Sequence, residues 1–349
     1  MHHPELAAPT MQPQLVALDT TFIPAPAAAQ QWTVSVASAK YHWYDLLAGF
    51  PQIPDIRDPI GRYLRRMQFD LEAAAAKRLL YFVVTRPRVR FDTSRPVQWG
   101  FFSLKLTLPL LVGMAELREH LTFELKVPFA ATMKKPTVTL TENFLTLNWG
   151  GLVEVLTIHD VLQHYDTAIK IPNKVLYVGQ TWDPAARLAK GRLPEVQRLH
   201  HQNSEHHDTL ILVQQMTVEA YSELGDPALW PAHQSDAGAD ELAADRSEAI
   251  SAALMHYFEG PTPRRNHEEK CLRNARLREI QASQQIDEIR IDIELKDVGN
   301  YAYLVSDHAA SAARHMLCCA IVEGDAQVTR CELPVTSGKP GKLGRRAMA

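Results

Sequence analysis

A histidine-rich stretch supplies side chains of the kinds that bind metals. Between residues 200 and 208 the chain reads His-His-Gln-Asn-Ser-Glu-His-His-Asp. Imidazole nitrogens and carboxylate oxygens bind transition metals, and an imidazole beside a phosphate can also transfer a proton. Neighbouring histidines in a strand or loop point in different directions, however, and no HExxH or Cys/His spacing fixes a common centre. We therefore interpret the stretch as a solvated loop, and proton transfer by His200 or His201 is a second hypothesis.

A second group of residues suited to chemistry lies between residues 165 and 188. Tyr177-Val178-Gly179 ends a run of strand-forming residues, and Arg187 follows ten residues after Tyr177. Asp183-Pro184 predicts a helix start between them, because an acid can cap a helix and proline suits its first turn. Arg187 then lies one turn into that helix. The parts that follow are an apolar strand, Thr209–Val213, a long polar insertion, and a helix, Ser247–Phe258.

This order and spacing resembles the GIY-YIG nuclease superfamily over about residues 165–270. In that family two short strands form a hairpin, the second carries Tyr-(Ile/Val)-Gly, and an arginine follows on the first helix. Gln180-Thr181 also matches common family choices, and Tyr165 stands twelve residues before Tyr177. Gln163-His164 replaces the Gly-Ile of the first motif, which indicates a divergent branch. The resemblance implies a small module with a short antiparallel sheet flanked by helices.

The resemblance further implies an endonuclease that hydrolyses phosphodiester bonds in DNA or RNA with a divalent metal, Mg²⁺ or Mn²⁺. Such cleavage needs a nucleophilic water, a cation near the phosphate and a donor to the charged oxygens. By the resemblance, Tyr177 and Tyr165 orient or activate the water. Arg187 holds the phosphate by charge-assisted hydrogen bonds, and Asn266 steadies the site.

The metal-binding carboxylate is the position where this sequence departs most clearly from the family. Alignment of the late helix puts Ser251 where a glutamate is expected. A neutral hydroxyl binds Mg²⁺ poorly. Glu248 lies three residues earlier, on roughly the same helical face, and is the substitute ligand that we expect if the helix is shifted by a turn. The alternative is that Glu248 is a plain surface carboxylate.

Charge and hydropathy limit the classes of partner. The 349 residues carry a formal net charge of −3, so binding to DNA or RNA must rest on a local basic patch. Candidate basic clusters are Arg62, Arg65 and Arg66; Arg86, Arg88 and Arg90; and Lys339, Lys342, Arg345 and Arg346. Each cluster could equally be a solvated surface. No apolar run is long enough to cross a bilayer, so no membrane partner is expected.

The N-terminal sequence and the cysteines bear on location. Residues 1–29 lack the basic start and compact apolar stretch of a secretory signal. Cys318 and Cys319 are adjacent in an apolar run, and the four cysteines contain no CxxC pair. Buried free thiols suit a reducing compartment. We therefore expect a cytoplasmic protein.

The patterns along the chain predict an α+β fold in two domains of ordinary size with extensions. Residues 1–35 read as a flexible leader, and residues 36–160 as a β-rich N-terminal α+β domain. In that domain the pattern from Tyr41 to Lys77 looks helical, particularly Ile60–Lys77, and several strands follow from Leu79. Thr141-Glu142-Asn143 separates two alternating runs, which predicts a hairpin.

The remaining segments complete the expected organisation. Residues 161–270 form the GIY-YIG-like module, residues 271–336 a strand and helix extension, and residues 337–349 a disordered basic tail. In the extension, Ile289–Leu295 alternates strictly and predicts a strand, while Ser306–Val322 is expected to be helical.

Three hypotheses of function follow, and they differ in kind. The first is a divergent metal-dependent endonuclease whose N-terminal domain selects the substrate or a protein partner. The second is a catalytically inactive nuclease-like module that binds nucleic acid or protein, favoured by Ser251. The third is a structural or interaction protein in which Tyr177 and Arg187 are a strand aromatic and a surface cation.

Overall fold

The computed structural model describes residues 30–48, 55–74, 79–129, 134–165, 171–181, 194–203, 205–222, 228–231, 240–260, 267–284, 286–322 and 325–330. The fold is of the α+β class, as the sequence predicts. The strands are β1 (Gln30–Trp43), β2 (Leu79–Pro87), β3 (Val89–Phe91), β4 (Gln98–Trp99), β5 (Lys105–Val112), β6 (Leu117–Glu124), β7 (Thr137–Leu140), β8 (Phe144–Asn148), β9 (Val153–Thr157), β10 (Asn173–Thr181), β11 (His207–Ser222), β12 (Ala228–Pro231), β13 (Ile286–Glu294), β14 (Leu304–Val305), β15 (Arg314–Val322) and β16 (Asp325–Arg330).

The helices are α1 (Tyr44–Ala48), α2 (Pro59–Ala74), α3 (Ile158–His164), α4 (Pro194–Asn203), α5 (Asp240–Glu259) and α6 (His267–Gln284), with a 3₁₀ turn at Gly299–Ala302. Two of them begin at recognisable caps. Asp58 accepts a hydrogen bond from the amide of Gly61 just before α2, and Pro59 takes the first helical position. Thr157 and Asp160 form a capping box at the start of α3.

A nine-stranded mixed sheet forms the centre of the protein. Its strand order is β14-β10-β2-β11-β1-β13-β15-β16, and β12 pairs with β11. The pairs β1–β13 and β10–β14 are parallel, and the other pairs in this sheet are antiparallel. Two smaller antiparallel sheets, β3–β6 and β7–β9, lie in the chain between β2 and β10.

Side chains alternate across the large sheet and define its two faces. On β2, Leu80 and Phe82 belong to one hydrophobic cluster, while Tyr81 and Val83 belong to another. Helix α5 packs on the first face, which we call the α5 face, together with the two small sheets. Helices α1, α2 and α4 pack on the second, the α4 face, through Tyr44, Leu47, Met67, Val196 and Leu199.

Several expected elements are confirmed. Helix α2 occupies the predicted Ile60 region, the turn at residues 141–143 joins β7 to β8, and β13 covers most of Ile289–Leu295. The strand ending at Gly179, the strand over Thr209–Val213 and the helix over Ser247–Phe258 are present as β10, β11 and α5. Strong local periodicity made these elements readable.

One expected helix is wrong, and the expected helical region before residue 77 begins later than predicted. Residues 314–322 form β15, in which His315, Leu317, Cys319 and Ile321 face the core in strict alternation. Residues 316–322 are all apolar, so the sequence shows no alternation of apolar and polar residues from which a strand could be predicted. In the region from Tyr41 to Lys77, residues 41–43 end β1, whereas Tyr44–Ala48 and Pro59–Ala74 are helices as predicted. Strand β1 starts at Gln30, inside the expected leader.

The expected domain boundaries do not follow the sheet. Strands from residues 36–160, 161–270 and 271–336 all contribute to the same nine-stranded sheet. Strand pairing between segments distant in sequence produces this sharing, and local patterns carry no information about it. Of the adjacent cysteines, Cys319 is a buried free thiol as expected, whereas Cys318 is disulfide-bonded. Among the described helices, none is long and apolar enough to cross a membrane.

Candidate active site

Two tyrosines lie side by side on the α4 face, where β2 pairs with β10. The antiparallel register places Gly179 opposite Tyr81 and Tyr177 opposite Val83. The ring centroids of Tyr81 and Tyr177 are 6.1 Å apart with an interplanar angle of 32°. We call this arrangement the tyrosine pair. It combines one tyrosine of the predicted motif with one that the sequence did not mark.

A bulge in β10 turns Tyr177 toward the α4 face. The register with β2 shifts between Val175 and Tyr177, so Leu176 is the extra residue, and both Leu176 and Tyr177 pack on the cluster of that face. The next residue, Val178, is buried on the α5 face, and its amide donates a hydrogen bond of 2.8 Å to the Glu259 carboxylate at the end of α5. Helix α5 thus holds β10 in place from the face of the sheet opposite Tyr177.

Gly179 leaves the space that the tyrosine pair occupies. A Cβ atom at this position would lie 2.6 Å from Cε1 of Tyr177 and closer still to the ring of Tyr81. Real Cβ atoms do not approach other atoms so closely, so any larger residue would displace the rings. The glycine of the Tyr-Val-Gly motif is therefore required by tertiary packing around it.

The two phenols differ in access to solvent. Tyr81 is 2% exposed, whereas Tyr177 is partly exposed. A tyrosine hydroxyl can donate and accept hydrogen bonds, so Tyr177 is able to orient a water molecule or a phosphate oxygen. Tyr81 contacts the Tyr177 ring from the buried side.

A carboxylate–imidazole pair lies on the same face of the sheet. Nδ1 of His200, on α4, is 3.0 Å from Oδ1 of Asp45, on α1, and the Trp43 indole donates to Oδ2 of Asp45 over 2.9 Å. The Tyr44 ring packs edge-on against His200. Burial raises the pKa of Asp45 above its ordinary value, and the nearby Asp208 adds to this effect. This geometry orients the His200 ring, which remains partly exposed.

The other predicted site residues lie elsewhere or outside the described residues. Tyr165 follows α3 and stacks on Phe123 of the small sheet at a centroid distance of 4.0 Å, in the cluster of the α5 face. The structure therefore does not bring Tyr165 and Tyr177 together. Arg187 and Asn266 lie outside the described residues, and Thr181 ends β10. His201 is exposed at the end of α4.

Glu248 and Ser251 lie on α5, across the sheet from the tyrosine pair. Glu248 forms an ion pair with Arg276 of α6 at 3.6 Å, and Ser251 is buried in the helix packing. Because the sheet separates α5 from Tyr177, Glu248 does not reach the tyrosine pair. Across the part of the chain that the structure describes, no group of three or more His, Cys, Asp or Glu residues could hold a metal ion. The described donor set beside Tyr177 does not fit Mg²⁺ or Mn²⁺, and we derive no step through a metal.

Sequence reasoning missed Tyr81 for a topological reason. The resemblance places the first motif just before Tyr177, as in a short hairpin, and Tyr165 stands at that position. In the structure the strand that pairs with β10 is β2, and residues 88–172 lie between the two. The run Leu79-Leu80-Tyr81, which ends on a tyrosine in a strand, was the signal that could have identified it.

A buried network of charged and polar side chains is centred on Asp208 of β11. Oδ2 of Asp208 accepts hydrogen bonds from the Arg90 guanidinium, at 2.9 Å, and from the Val89 amide, at 3.1 Å. A second nitrogen of Arg90 lies 2.7 Å from Oδ1 of Asp208. Nε2 of His159 lies 3.3 Å from Asp208, and its Nδ1 is 2.6 Å from the Tyr301 hydroxyl. With Asp208 ionised, we infer that Nε2 carries the hydrogen and that Nδ1 accepts from Tyr301.

The pKa values in this network follow from burial and pairing. Burial alone would raise the pKa of Asp208, but His159 and Arg90 hold it well below its ordinary value. Burial lowers the pKa of His159 despite the attraction of Asp208, so the imidazole is neutral at pH 7. Because Asp208, His159 and Tyr301 are all buried, they do not contact a macromolecular substrate. The network is structural, and it joins β3, β11, α3 and the 3₁₀ turn.

The network extends to a second buried arginine. Arg86 is 1% exposed, and its guanidinium lies over the Tyr301 ring, 3.9 Å from the centroid. Asn173 donates hydrogen bonds to the Tyr301 carbonyl and the Tyr41 hydroxyl, at 2.9 and 3.1 Å. Burial raises the pKa values of Tyr41 and Tyr301 far above the ordinary value, so both phenols stay neutral.

A small cavity of about 250 Å³ lies between β1, α2 and α3. His42, on β1, lines it and is 3% exposed. Burial, with a contribution from Lys40, lowers the pKa of His42 to about 3. This histidine is therefore neutral at physiological pH.

No protein-family model, curated protein or solved structure matches this chain.

Proposed function

We propose that this protein is a divergent endonuclease of the GIY-YIG type that hydrolyses phosphodiester bonds in nucleic acid. The observation that carries the proposal is the tyrosine pair over Gly179. The Tyr-Val-Gly motif requires its glycine because a Cβ atom at residue 179 would overlap the rings of both tyrosines. The first motif of the family then corresponds to Leu79-Leu80-Tyr81 rather than to residues 163–165.

In the proposed reaction, water attacks phosphorus, one bridging P–O bond breaks, and the leaving oxygen takes up a proton from solvent. The partly exposed Tyr177 hydroxyl orients the attacking water, and Tyr81 positions the Tyr177 ring. His200, held by Asp45, is suited to accept the proton that the water releases. Arg187 would bind the phosphate oxygens, an assignment that rests on the family resemblance. Helix α4 follows the Arg187 segment in the chain and packs on the same face as the tyrosine pair.

A nicking assay tests the proposal. Supercoiled plasmid is incubated with the protein and Mg²⁺, Mn²⁺ or EDTA, and the relaxed product is quantified over time. Tyr177→Phe removes only the hydroxyl, and a lost acid–base or orienting group costs roughly 10²–10⁴-fold in rate. Arg187→Ala should cost roughly 10²–10³-fold, as for other lost donors to a developing charge.

Tyr165→Phe is the matched control. It removes a hydroxyl from the tyrosine of the sequence motif that stacks on Phe123, away from the tyrosine pair. We expect it to nick plasmid at the wild-type rate. If Tyr165→Phe loses activity while Tyr177→Phe keeps it, the assignment of the site to the tyrosine pair is wrong.

A catalytically inactive module that binds nucleic acid is the second candidate function. The observation that favours it is the separation of Glu248 from Tyr177 by the sheet, which leaves the described site without the carboxylate that the family uses. Salt-dependent binding of DNA or RNA without nicking in either metal would support this candidate over the first.

A further inference from the structure

A cleft of about 430 Å³ separates α2 from the strand β9. Its volume lies within the range of roughly 300–1,000 Å³ that is typical of ligand sites. Arg62, Tyr63 and Arg66 of α2 line one side. The opposite side is formed by Pro128 and residues 152–156. We call this feature the α2 cleft.

Two arginines dominate the charge of the α2 cleft. Arg62 and Arg66 are exposed and lie one helical turn apart, so their side chains are neighbours on one face. Neither makes an ion pair within 4.0 Å with any residue that the structure describes; Arg66 only lies 5.7 Å from the Tyr63 ring centroid. Glu154 contributes a carboxylate on the far side. Two available guanidinium groups facing one cleft are suited to phosphate.

Arg65 shows what a structural arginine on the same helix looks like. Its guanidinium lies over the Phe69 ring, 4.2 Å from the centroid, and donates a hydrogen bond to Gln68 over 3.2 Å. It does not line the α2 cleft. Helix α2 therefore carries two arginines that line the cleft. The third arginine, Arg65, contacts Phe69 and Gln68 instead.

Part of the wall of the α2 cleft is apolar, and an exposed aromatic residue follows it in the chain. Pro59, Pro128, Leu152 and Leu156 supply hydrocarbon surface. Phe129, next to Pro128 in the chain, is fully exposed. Arginines that follow a backbone, combined with apolar and aromatic surfaces for bases, characterise sites for unpaired nucleic acid. A duplex keeps its bases stacked inside and would not use these walls.

We propose that the α2 cleft binds a single-stranded segment of nucleic acid, with Arg62 and Arg66 on successive phosphates and a base against the apolar wall near Phe129. The inference rests on the proposed function, because it names the form of substrate that the nuclease would take. Helix α2 packs through Met67 on the α4 face, the same face that carries Tyr81 and Tyr177. One wall of the cleft therefore belongs to a helix of the α4 face, and the other wall, β9, belongs to a small sheet of the α5 face.

Fluorescence anisotropy with a labelled single-stranded DNA dodecamer tests the inference. The full-length protein is titrated in EDTA, with a duplex of the same sequence in parallel and at several salt concentrations. Each phosphate contact to a single strand contributes about 0.7 to the slope of log K against log salt. The Arg62→Ala/Arg66→Ala variant should therefore lower the slope by about 1.4 and weaken binding about 25-fold at 0.1 M salt.

Two further variants separate a cleft from general surface charge. Arg65→Ala removes the same charge from the same helix but not from the cleft, and we expect less than a twofold change in Kd. Phe129→Ala removes a stacking surface and should weaken binding of the single strand by about fivefold or more. Circular dichroism confirms that each variant is folded. Arg62→Gln and Arg66→Gln as single variants report on each phosphate contact separately.

Distinct results would overturn the inference. Unchanged affinity and salt slope in the Arg62→Ala/Arg66→Ala variant would remove the arginines from the site. Equal, arginine-dependent binding of the duplex, or equal displacement by a polyglutamate peptide, would show that the α2 cleft is not a site for unpaired nucleic acid. Absence of binding by the wild type would refute it outright. Because binding is measured without a metal, a protein that binds but does not nick supports this inference while refuting the proposed nuclease.

Discussion

Replacing Gly179 with alanine should disrupt the tyrosine pair without straining the main chain. Gly179 does not have the left-handed φ that alanine avoids, so the backbone itself accepts the change. The new methyl group would instead overlap the Tyr81 ring and lie 2.6 Å from the Tyr177 ring. Tyr81 is 2% exposed, so its ring must displace packed neighbours in order to move away. Both rings must leave their preferred rotamers.

The cost can be estimated from these contacts. Each ring displaced by about 30° from its rotamer loses roughly 0.5–1.5 kcal/mol, and overpacking of a filled site costs about 1–3 kcal/mol in total. We therefore expect Gly179→Ala to lower the free energy of unfolding by about 2 kcal/mol. A displacement of about 1 Å at a catalytic group costs about 100-fold in rate, so nicking should fall by that factor if Tyr177 orients the water.

The assays are urea unfolding followed by circular dichroism, and plasmid nicking under conditions where the variant is folded. Gly113→Ala is the matched control, because Gly113 has a φ of +70° and an added Cβ would meet no atom within 4 Å. It should cost about 1–2 kcal/mol through backbone strain alone. Its nicking rate should remain that of the wild type.

An unchanged free energy of unfolding together with an unchanged nicking rate in Gly179→Ala would refute the packing described around the tyrosine pair. Equal loss of activity in Gly179→Ala and Gly113→Ala would show that stability, and not the tyrosine pair, limits the measured rate. A Gly179→Ala protein with the expected loss of stability but normal nicking would remove the tyrosine pair from the site.

Three further predictions concern the residues around the site. Asp208→Asn should lower the free energy of unfolding by about 3–5 kcal/mol in urea titrations, because it breaks a buried pair with Arg90. His42→Gln should flatten the pH dependence of stability by about 2 kcal/mol between pH 7 and pH 5. Glu248→Ala should change the nicking rate little and stability by less than about 1 kcal/mol, because its pair with Arg276 is partly exposed and lies across the sheet from Tyr177.

The direction of the His42 effect follows from proton linkage. The folded-state pKa of about 3 lies below the ordinary value near 6.5, so the unfolded chain binds the proton first as pH falls. Stability is thus full above about pH 6.5 and declines through pH 5. Asp208 has a depressed pKa, so its contribution is present above about pH 4 and is lost in more acidic solution. Equal pH profiles for His42→Gln and wild type would contradict the burial argument.

A wild-type nicking rate in Glu248→Ala, together with loss in Tyr177→Phe, would place the reaction on the α4 face. Loss of nicking in Glu248→Ala would instead restore the expectation drawn from sequence, that Glu248 binds the metal. An Asp208→Asn protein as stable as the wild type would show that the network around Arg90 does not hold the small sheets in place.

Local sequence determined the elements that carry their own pattern. The amphipathic helix α2, the β7–β8 hairpin and the strand ending in Tyr177-Val178-Gly179 follow from periodicity, caps and turn residues within a few positions of each other. The arginines of α2 were also visible as a basic cluster. The sequence could not say which of them faces a cleft, because Arg65 and Arg66 are adjacent and point in different directions.

Tertiary structure alone decided what surrounds Tyr177. Its neighbour Tyr81 comes from a strand separated from β10 by residues 88–172, and Glu248 is on the opposite face although it lies on the expected helix. Pairing of strands so far apart depends on the packing of both sheet faces, and no local period records it. The sequence by itself therefore determined the motif on β10, while the sheet decided that Tyr81, Asp45 and His200 share its face and that Tyr165 and Glu248 do not.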